Sequence, residues 1–305
     1  MTAPLAPDAS APDARPSMAF AACSTIWGST FLVISIGNDA LAPAWAATLR
    51  LVLAAVLLAA WTLGRGQPLP RGPALRAALG YGATQFGINL PLLYWGEKVV
   101  PSGLSAVIYA TIPLTSALMA RAAGLERLTP AKLLGAVVAF GGVAVLFSSG
   151  VRAISSSAPR GLLAIFVGAT ASAWGTVLLK RGPRQDPFGA NAVGCAIGAV
   201  LAAAISVALG EPHALPSTGA AVWPLVYLTV AGSLGAYVIM SWLISHWSVT
   251  RTAYITVIVP VIALALGAVV RHERLAPASF AGTALVLGGL LLGMRTSKAD
   301  VRSAS

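Results

Sequence analysis

Glu126-Arg127-Leu128-Thr129-Pro130 and Glu273-Arg274-Leu275-Ala276-Pro277 stand 147 residues apart. The same offset of 147 relates Trp27-Gly28-Ser29 to Trp174-Gly175-Thr176, Pro113 to Pro260, Gly135 to Gly282, and Gly141-Gly142 to Gly288-Gly289. Chains rich in Leu and Ala match one another by chance at apolar positions. They do not by chance place Trp, Pro and Glu in one register. The sequence therefore reads as two copies of one unit.

What the unit is follows from composition. Of 305 residues, 57% are apolar and 10% charged, too few charges to cover a soluble protein of this length. The apolar residues come in runs of roughly 20, the length that crosses a bilayer core of about 30 Å. Ten runs are expected to span, at 17–37, 43–64, 74–96, 101–123, 130–148, 160–180, 189–209, 220–244, 250–271 and 277–294. The breaks between them have local causes. Arg65-Gly66-Gln67-Pro68 closes the second, Arg181-Gly182-Pro183-Arg184 closes the sixth, and Thr129-Pro130 reads as an N-cap followed by proline at the first helical position. The expected fold is an all-α integral membrane protein. It comprises a tail at 1–16, a five-helix repeat at 17–148, a second at 160–294, and a tail at 295–305. The first tail is rich in Pro, Ala and Asp and lacks the basic and apolar regions of a signal peptide.

Five is an odd number, so the second repeat must enter the bilayer from the opposite side. That is an inverted-topology repeat, an arrangement that typically carries a substrate site at the midplane between the halves. Fourteen Lys and Arg collect on the side of the N-terminus and five on the other, with Arg50 inside a span. This bias predicts both termini in the cytoplasm. It also accounts for the net charge of +11 without nucleic acid, since the basic residues sit in short loops and form no cluster with exposed aromatics.

The residues Ile26-Trp27-Gly28-Ser29-Thr30-Phe31, Val100-Pro101-Ser102-Gly103-Leu104-Ser105-Ala106-Val107 and Ile112-Pro113-Leu114, with their second-half copies, resemble the drug/metabolite transporter superfamily, EamA-type permease branch. The resemblance runs over roughly residues 18–294. It implies ten helices, a central cavity and export of small metabolites such as amino acids, without naming one substrate. The implied partners are the bilayer and a small-molecule substrate, with no cofactor; a monomer and a homodimer are both compatible. The competing classes are an intramembrane enzyme and a non-transporting membrane protein. The sequence has no His-Glu-x-x-His and no phosphate-binding loop, and Cys23 and Cys195 lie apart in apolar runs, as small packing residues do.

Pro113 and Pro260 are expected near the middle of their spans, where proline frees the carbonyl four residues back, that of Tyr109 or Thr256. They read either as hinges lining a wet cavity or as static kinks. Trp27 with Ser29, and Trp174 with Thr176, read as cavity lining or as tight helix packing through the glycine between them. Tyr109, Tyr237, Trp242 and Tyr254 add aromatic surface, and Asn89 is a carboxamide deep in a span. Arg50 lies seven residues past Pro43; it reads either as an anion-attracting group or as a side chain snorkelling to the interface. The small residues Ala131, Gly135, Ala139, Ala278 and Gly282 read as helix contacts. The nine acids and three histidines all fall in tails, loops or span ends. This predicts facilitated diffusion, exchange, or coupling through a peripheral carboxylate such as Asp39 or Glu97.

Overall fold

The structure is a computed structural model that describes residues 14–125, 128–146, 156–246, 255–274 and 277–294. Those residues are helical, with no strand among them. Helices α1 (Arg15–Gly37) and α2 (Pro43–Gly64) are followed by α3 (Gly72–Gly82) and α4 (Asn89–Gly96). Next come α5 (Ser102–Tyr109), α6 (Ile112–Ala122), α7 (Pro130–Val145), α8 (Ala158–Arg181) and α9 (Pro187–Ala208). The chain continues through α10 (Gly219–Tyr227), α11 (Ala236–His246), α12 (Ile255–Val270) and α13 (Pro277–Gly293). Among the described residues, six segments are long and apolar enough to cross a membrane: α1, α2, the joined α5–α6, α8, α9 and Gly219–Met240. Pro130–Val145, Ile255–Val270 and Ser279–Gly293 are shorter apolar helices.

The helix starts are written in the chain. Thr129 caps α7 by accepting a hydrogen bond from the Lys132 amide at 3.3 Å, with Pro130 at the first position. Asp186 caps α9 in the same way, accepting from the Gly189 amide at 2.8 Å ahead of Pro187. The distribution of polarity is the reverse of a soluble protein's. Val137, Val200 and Val269 face outward, while Ser24, Asn89, Ser105 and Ser172 are buried. In lipid, an outward-facing valine costs nothing and a polar group must find its partner inside the bundle.

Two spans expected to be continuous are interrupted by π-helical turns. One, Ala83–Ile88, joins α3 to α4; the other, Leu228–Gly235, joins α10 to α11. The π turn widens the helix by one residue and releases local backbone bonds. The span at 101–123 is broken differently. Ala110 and Thr111 form a turn, and Pro113 starts α6 beyond it. Pro260, its counterpart, lies within the unbroken α12.

The packing repeats when each element is exchanged for its counterpart. Helix α7 packs along α13, and α2 along α9. Helix α1 packs on α12 as α6 packs on α8. The α7–α13 contact is close: Gly135 faces Gly289, and Gly142 faces Gly282.

Candidate functional site

The residues 38–42 and 97–101 lie at one end of the bundle, here the 97–101 face. From there α2 carries Arg50 about 10 Å down its axis, since Arg50 is seven residues beyond Pro43. The side chain does not snorkel. Arg50 is 8% exposed, and its guanidinium donates to Ser233 Oγ from Nε and Nη2, both at 3.4 Å, and to Tyr94 Oη at 3.3 Å. The π turn makes this approach possible. It brings Ser233 to Arg50 and leaves Gly232 so near that an added Cβ would lie 3.6 Å from Nη2. Ser233 Oγ in turn donates to the Leu228 carbonyl at 3.2 Å, one of the backbone groups at the start of that π turn.

Other neutral polar groups inside the bundle pair with one another, two of the pairs joining elements that the offset of 147 assigns to different halves. Ser29 Oγ and Tyr227 Oη share a hydrogen bond of 2.7 Å. Ser172 Oγ donates to Gln85 Oε1 at 2.5 Å. Tyr109 Oη donates to Asn89 Oδ1 in a short bond, and Asn89 is 2% exposed. Phe31 meets the Tyr109 ring edge-on at 5.3 Å. Chemically, a guanidinium held by a hydroxyl and a phenol in a low-dielectric bundle offers an anionic oxygen a site much stronger than it would meet in water.

The sequence-derived candidates thus divide. Arg50, Asn89, Ser29 and Tyr109 lie among these polar groups. Trp27 is half-buried and packs on the apolar core. Trp174 is half-buried with the Arg181 guanidinium over its ring at 5.9 Å. Thr176 is exposed, and its hydroxyl bonds back to the Ser172 carbonyl at 3.3 Å. Trp242 is half-buried against the core. The Tyr237 side chain and all of Tyr254 lie outside the described residues. Pro113 is half-buried and Pro260 buried. Gln85, Tyr94, Ser172, Tyr227 and Ser233 were passed over in the sequence; the only signal for Gln85 was a second carboxamide in the span that holds Asn89.

The 97–101 face is held by charges reaching between elements. Glu211 accepts from the Ala44 and Trp45 amides at 3.2 and 2.9 Å, capping α2. Glu273 accepts from the Ser102 amide at 3.0 Å and its hydroxyl at 2.8 Å, capping α5. Arg271 grips both oxygens of Asp39 at 2.8 and 3.0 Å. A depression of about 560 Å³ opens between this lattice and the solvent, lined by Asp39, Trp95, Lys98 and Glu211 among others.

Comparison with known proteins agrees with this architecture. The chain is 31% identical over 280 residues to an uncharacterized inner membrane transporter, YedA, of Escherichia coli (strain K12), covering 88% of this chain and 86% of that protein. It is 29% identical over 282 residues to a probable terminal-alkyne amino-acid exporter of Streptantibioticus cattleyicolor, covering 92% and 93%. It is 30% identical over 281 residues to a probable amino-acid metabolite efflux pump of Salmonella typhimurium, covering 88% and 91%. A crystal structure with 20% sequence identity superposes with a TM-score of 0.63 over 95% of this chain and 98% of that one, which shows the shared fold. The EamA-like transporter family matches twice, over residues 16–148 and 159–295. With that double match and a multi-pass apolar helical bundle, the chain belongs to the EamA-like transporter family.

Proposed function

We propose that this transporter is an alternating-access carrier that exports small organic metabolites, amino acids or related compounds, through a site built around Arg50. The observation that carries the reading is the buried guanidinium itself. A charge in a membrane bundle is costly and is normally retained for function, and here it sits among polar groups from both copies of the repeat. The names of the relatives from Streptantibioticus and Salmonella point to the same substrate class.

The proposed architecture is ten spans in two five-helix halves, 17–148 and 160–294, of opposite orientation. The exchange of packing partners under the offset of 147 supports it, because a two-fold axis in the membrane plane would produce that exchange. Both termini are assigned to the cytoplasm on the 14 to 5 basic bias. Reporter fusions at Arg184 and Gly210 are expected on opposite sides, with Arg184 inside; a common side for both overturns the topology.

The transport reading is tested by counterflow in proteoliposomes. Labelled amino acids are expected to exchange against an internal pool at equal pH on both sides, because no acid or histidine sits mid-span. Absence of exchange across a panel of amino acids, with the protein folded, refutes the substrate class. The same assay reads the proline hinges. Pro113→Ala supplies the amide that the break at Ala110–Thr111 lacks and is expected to slow exchange about tenfold with folding retained, since alanine favours helix. Pro260→Ala is expected to slow it too, and native rates in both variants would make the prolines static kinks.

A further inference from the structure

Of the two peripheral carboxylates that the sequence offers for coupling, Asp39 and Glu97, only Glu97 is buried. Glu97 occupies the turn after α4, with its amide bonded to the Leu93 carbonyl at 2.9 Å. Its side chain is 5% exposed, and neither carboxyl oxygen has a hydrogen-bond donor. The contrast with its neighbours is sharp. Glu211 and Glu273 each accept backbone amides, and Asp39 is held by Arg271. These three carboxyl groups have donors within the protein. Glu97 has none.

Among the described residues, the elements around Glu97 offer no cation in compensation. Helix α5 presents the Ser105 hydroxyl, bonded to the Pro101 carbonyl at 3.4 Å, and the Tyr109 phenol. Its own helix presents Tyr94, which Arg50 already contacts. The segment after α12 presents the Glu273 carboxylate, a like charge, while Arg271 is turned to Asp39. Helix α8 packs against the neighbouring Gly96 with Gly161 and Ile165, which are apolar. Lys98 is exposed. A carboxylate buried without donors costs several kcal/mol, and the group takes a proton instead. Burial pushes the Glu97 carboxyl well above the usual carboxylate range; the Ser105 hydroxyl works against this, and the Glu273 charge adds to it.

We propose that Glu97 is a proton-binding site, and that closing the 97–101 face takes up one proton from the solution bathing that face. The coupling rests on the alternating-access reading above, in which this face opens. In the closed form Glu97 carries an O–H bond and Glu273 remains the anion that caps α5. Opening admits water; the O–H bond breaks, the proton passes to water, and two facing carboxylates then oppose reclosure. The sign follows from linkage. The closed form binds the proton more tightly, so closure is fully favoured below the ordinary carboxylate value. That preference is lost as pH rises from there through the raised value. One proton makes the closed-to-open ratio change by up to about tenfold per pH unit.

Two measurements on the full chain test this, and neither needs a transported compound, so failure of the substrate assignment would not be confused with failure here. Infrared difference spectra between acid and alkaline pH are expected to show the carbonyl stretch of a protonated carboxyl, lost in Glu97→Gln and displaced in frequency in Glu97→Asp. The second measurement places a cysteine at the buried Val100 and follows its labelling by a membrane-impermeant maleimide. The rate is normalised to the same reaction of an exposed cysteine at Lys98. The normalised rate is expected to rise with pH on that face, and Glu97→Gln should flatten it at the closed-state value. A band that survives Glu97→Gln, or an unchanged pH slope in that variant, overturns the proposal. If Glu97→Gln does not fold, Glu97→Asp decides: a band and a slope both unmoved by shortening the side chain overturn it equally.

Discussion

Replacing Gly142 by alanine is expected to destabilise the protein by about 1–3 kcal/mol, whereas the same change one residue earlier, at Gly141, is expected to stabilise it by up to about 1 kcal/mol. The two glycines are adjacent, with equal helix propensity, and differ in what they face. A Cβ on Gly142 would lie 2.7 Å from both the Gly282 carbonyl oxygen and the Val286 amide nitrogen, and 2.8 Å from Leu285 Cβ. Two of those three are backbone atoms, which cannot swing aside, so α7 and α13 must separate. A Cβ on Gly141 meets nothing within 4 Å, and the substitution simply removes backbone freedom from the unfolded chain. In lipid there is no hydrophobic drive to press the helices back together, and close van der Waals contact carries their association. The repeat supplies an internal replicate. Gly289 faces α7 and Gly288 meets nothing within 4 Å, so Gly289→Ala should behave as Gly142→Ala and Gly288→Ala as Gly141→Ala. Thermal unfolding in detergent reads all four. Equal effects at Gly141 and Gly142 would mean that the α7–α13 seam does not hold the protein together.

The faces of that seam were legible in the sequence because their cause is local and periodic. Gly135 and Gly282 recur at the offset of 147 within small-residue faces, so the contact faces could be read, while the pairing of α7 with α13 comes from the structure. Helix limits were legible for the same reason. Helix α2 runs Pro43–Gly64, bounded by a proline at its start and an Arg-Gly pair at its end, and Thr129 caps α7 as its position before Pro130 predicts. The parts that escaped depend on lateral position. Glu97 stands at the end of a span, which describes depth in the membrane. Burial there is decided by α5, α8 and the segment after α12, none of them adjacent in sequence. Likewise nothing in Leu228–Gly235 marks a π turn, which forms where tertiary contacts outweigh the preference for i to i−4 bonding. Ser233 acquires its role only because that turn delivers it to Arg50. The two prolines carry the complementary lesson. Their symmetry in sequence predicts symmetry in structure, yet Pro113 follows a broken helix and Pro260 sits in an intact one. Equal sequence at two positions thus does not fix equal helix geometry around them.

Arg50→Met is expected to lower amino-acid exchange by about 10- to 100-fold, the loss of one charge-assisted contact to a carboxylate worth about 1.5–3 kcal/mol. The folded protein should survive. Methionine fills much of the volume, and replacing a buried charge by an apolar side chain is often neutral or stabilising. Ser233 keeps a partner, since its Oγ already bonds the Leu228 carbonyl at 3.2 Å. Arg50→Lys should recover only a fraction of the rate. An ammonium on a flexible stem supplies the charge, but not the planar fork that reaches Ser233 and Tyr94 together. The decisive comparison is between substrates rather than variants. If Arg50 binds the carboxylate, Arg50→Met must penalise an amino acid and spare the amine that lacks its carboxyl group, so the ratio of the two rates moves by the same 10- to 100-fold as the amino-acid rate itself. If both rates fall together, Arg50 supports the bundle and the substrate is held elsewhere. If neither falls, the buried cation is no part of transport, and the site must be sought among Asn89, Tyr109 and the Ser29–Tyr227 pair instead.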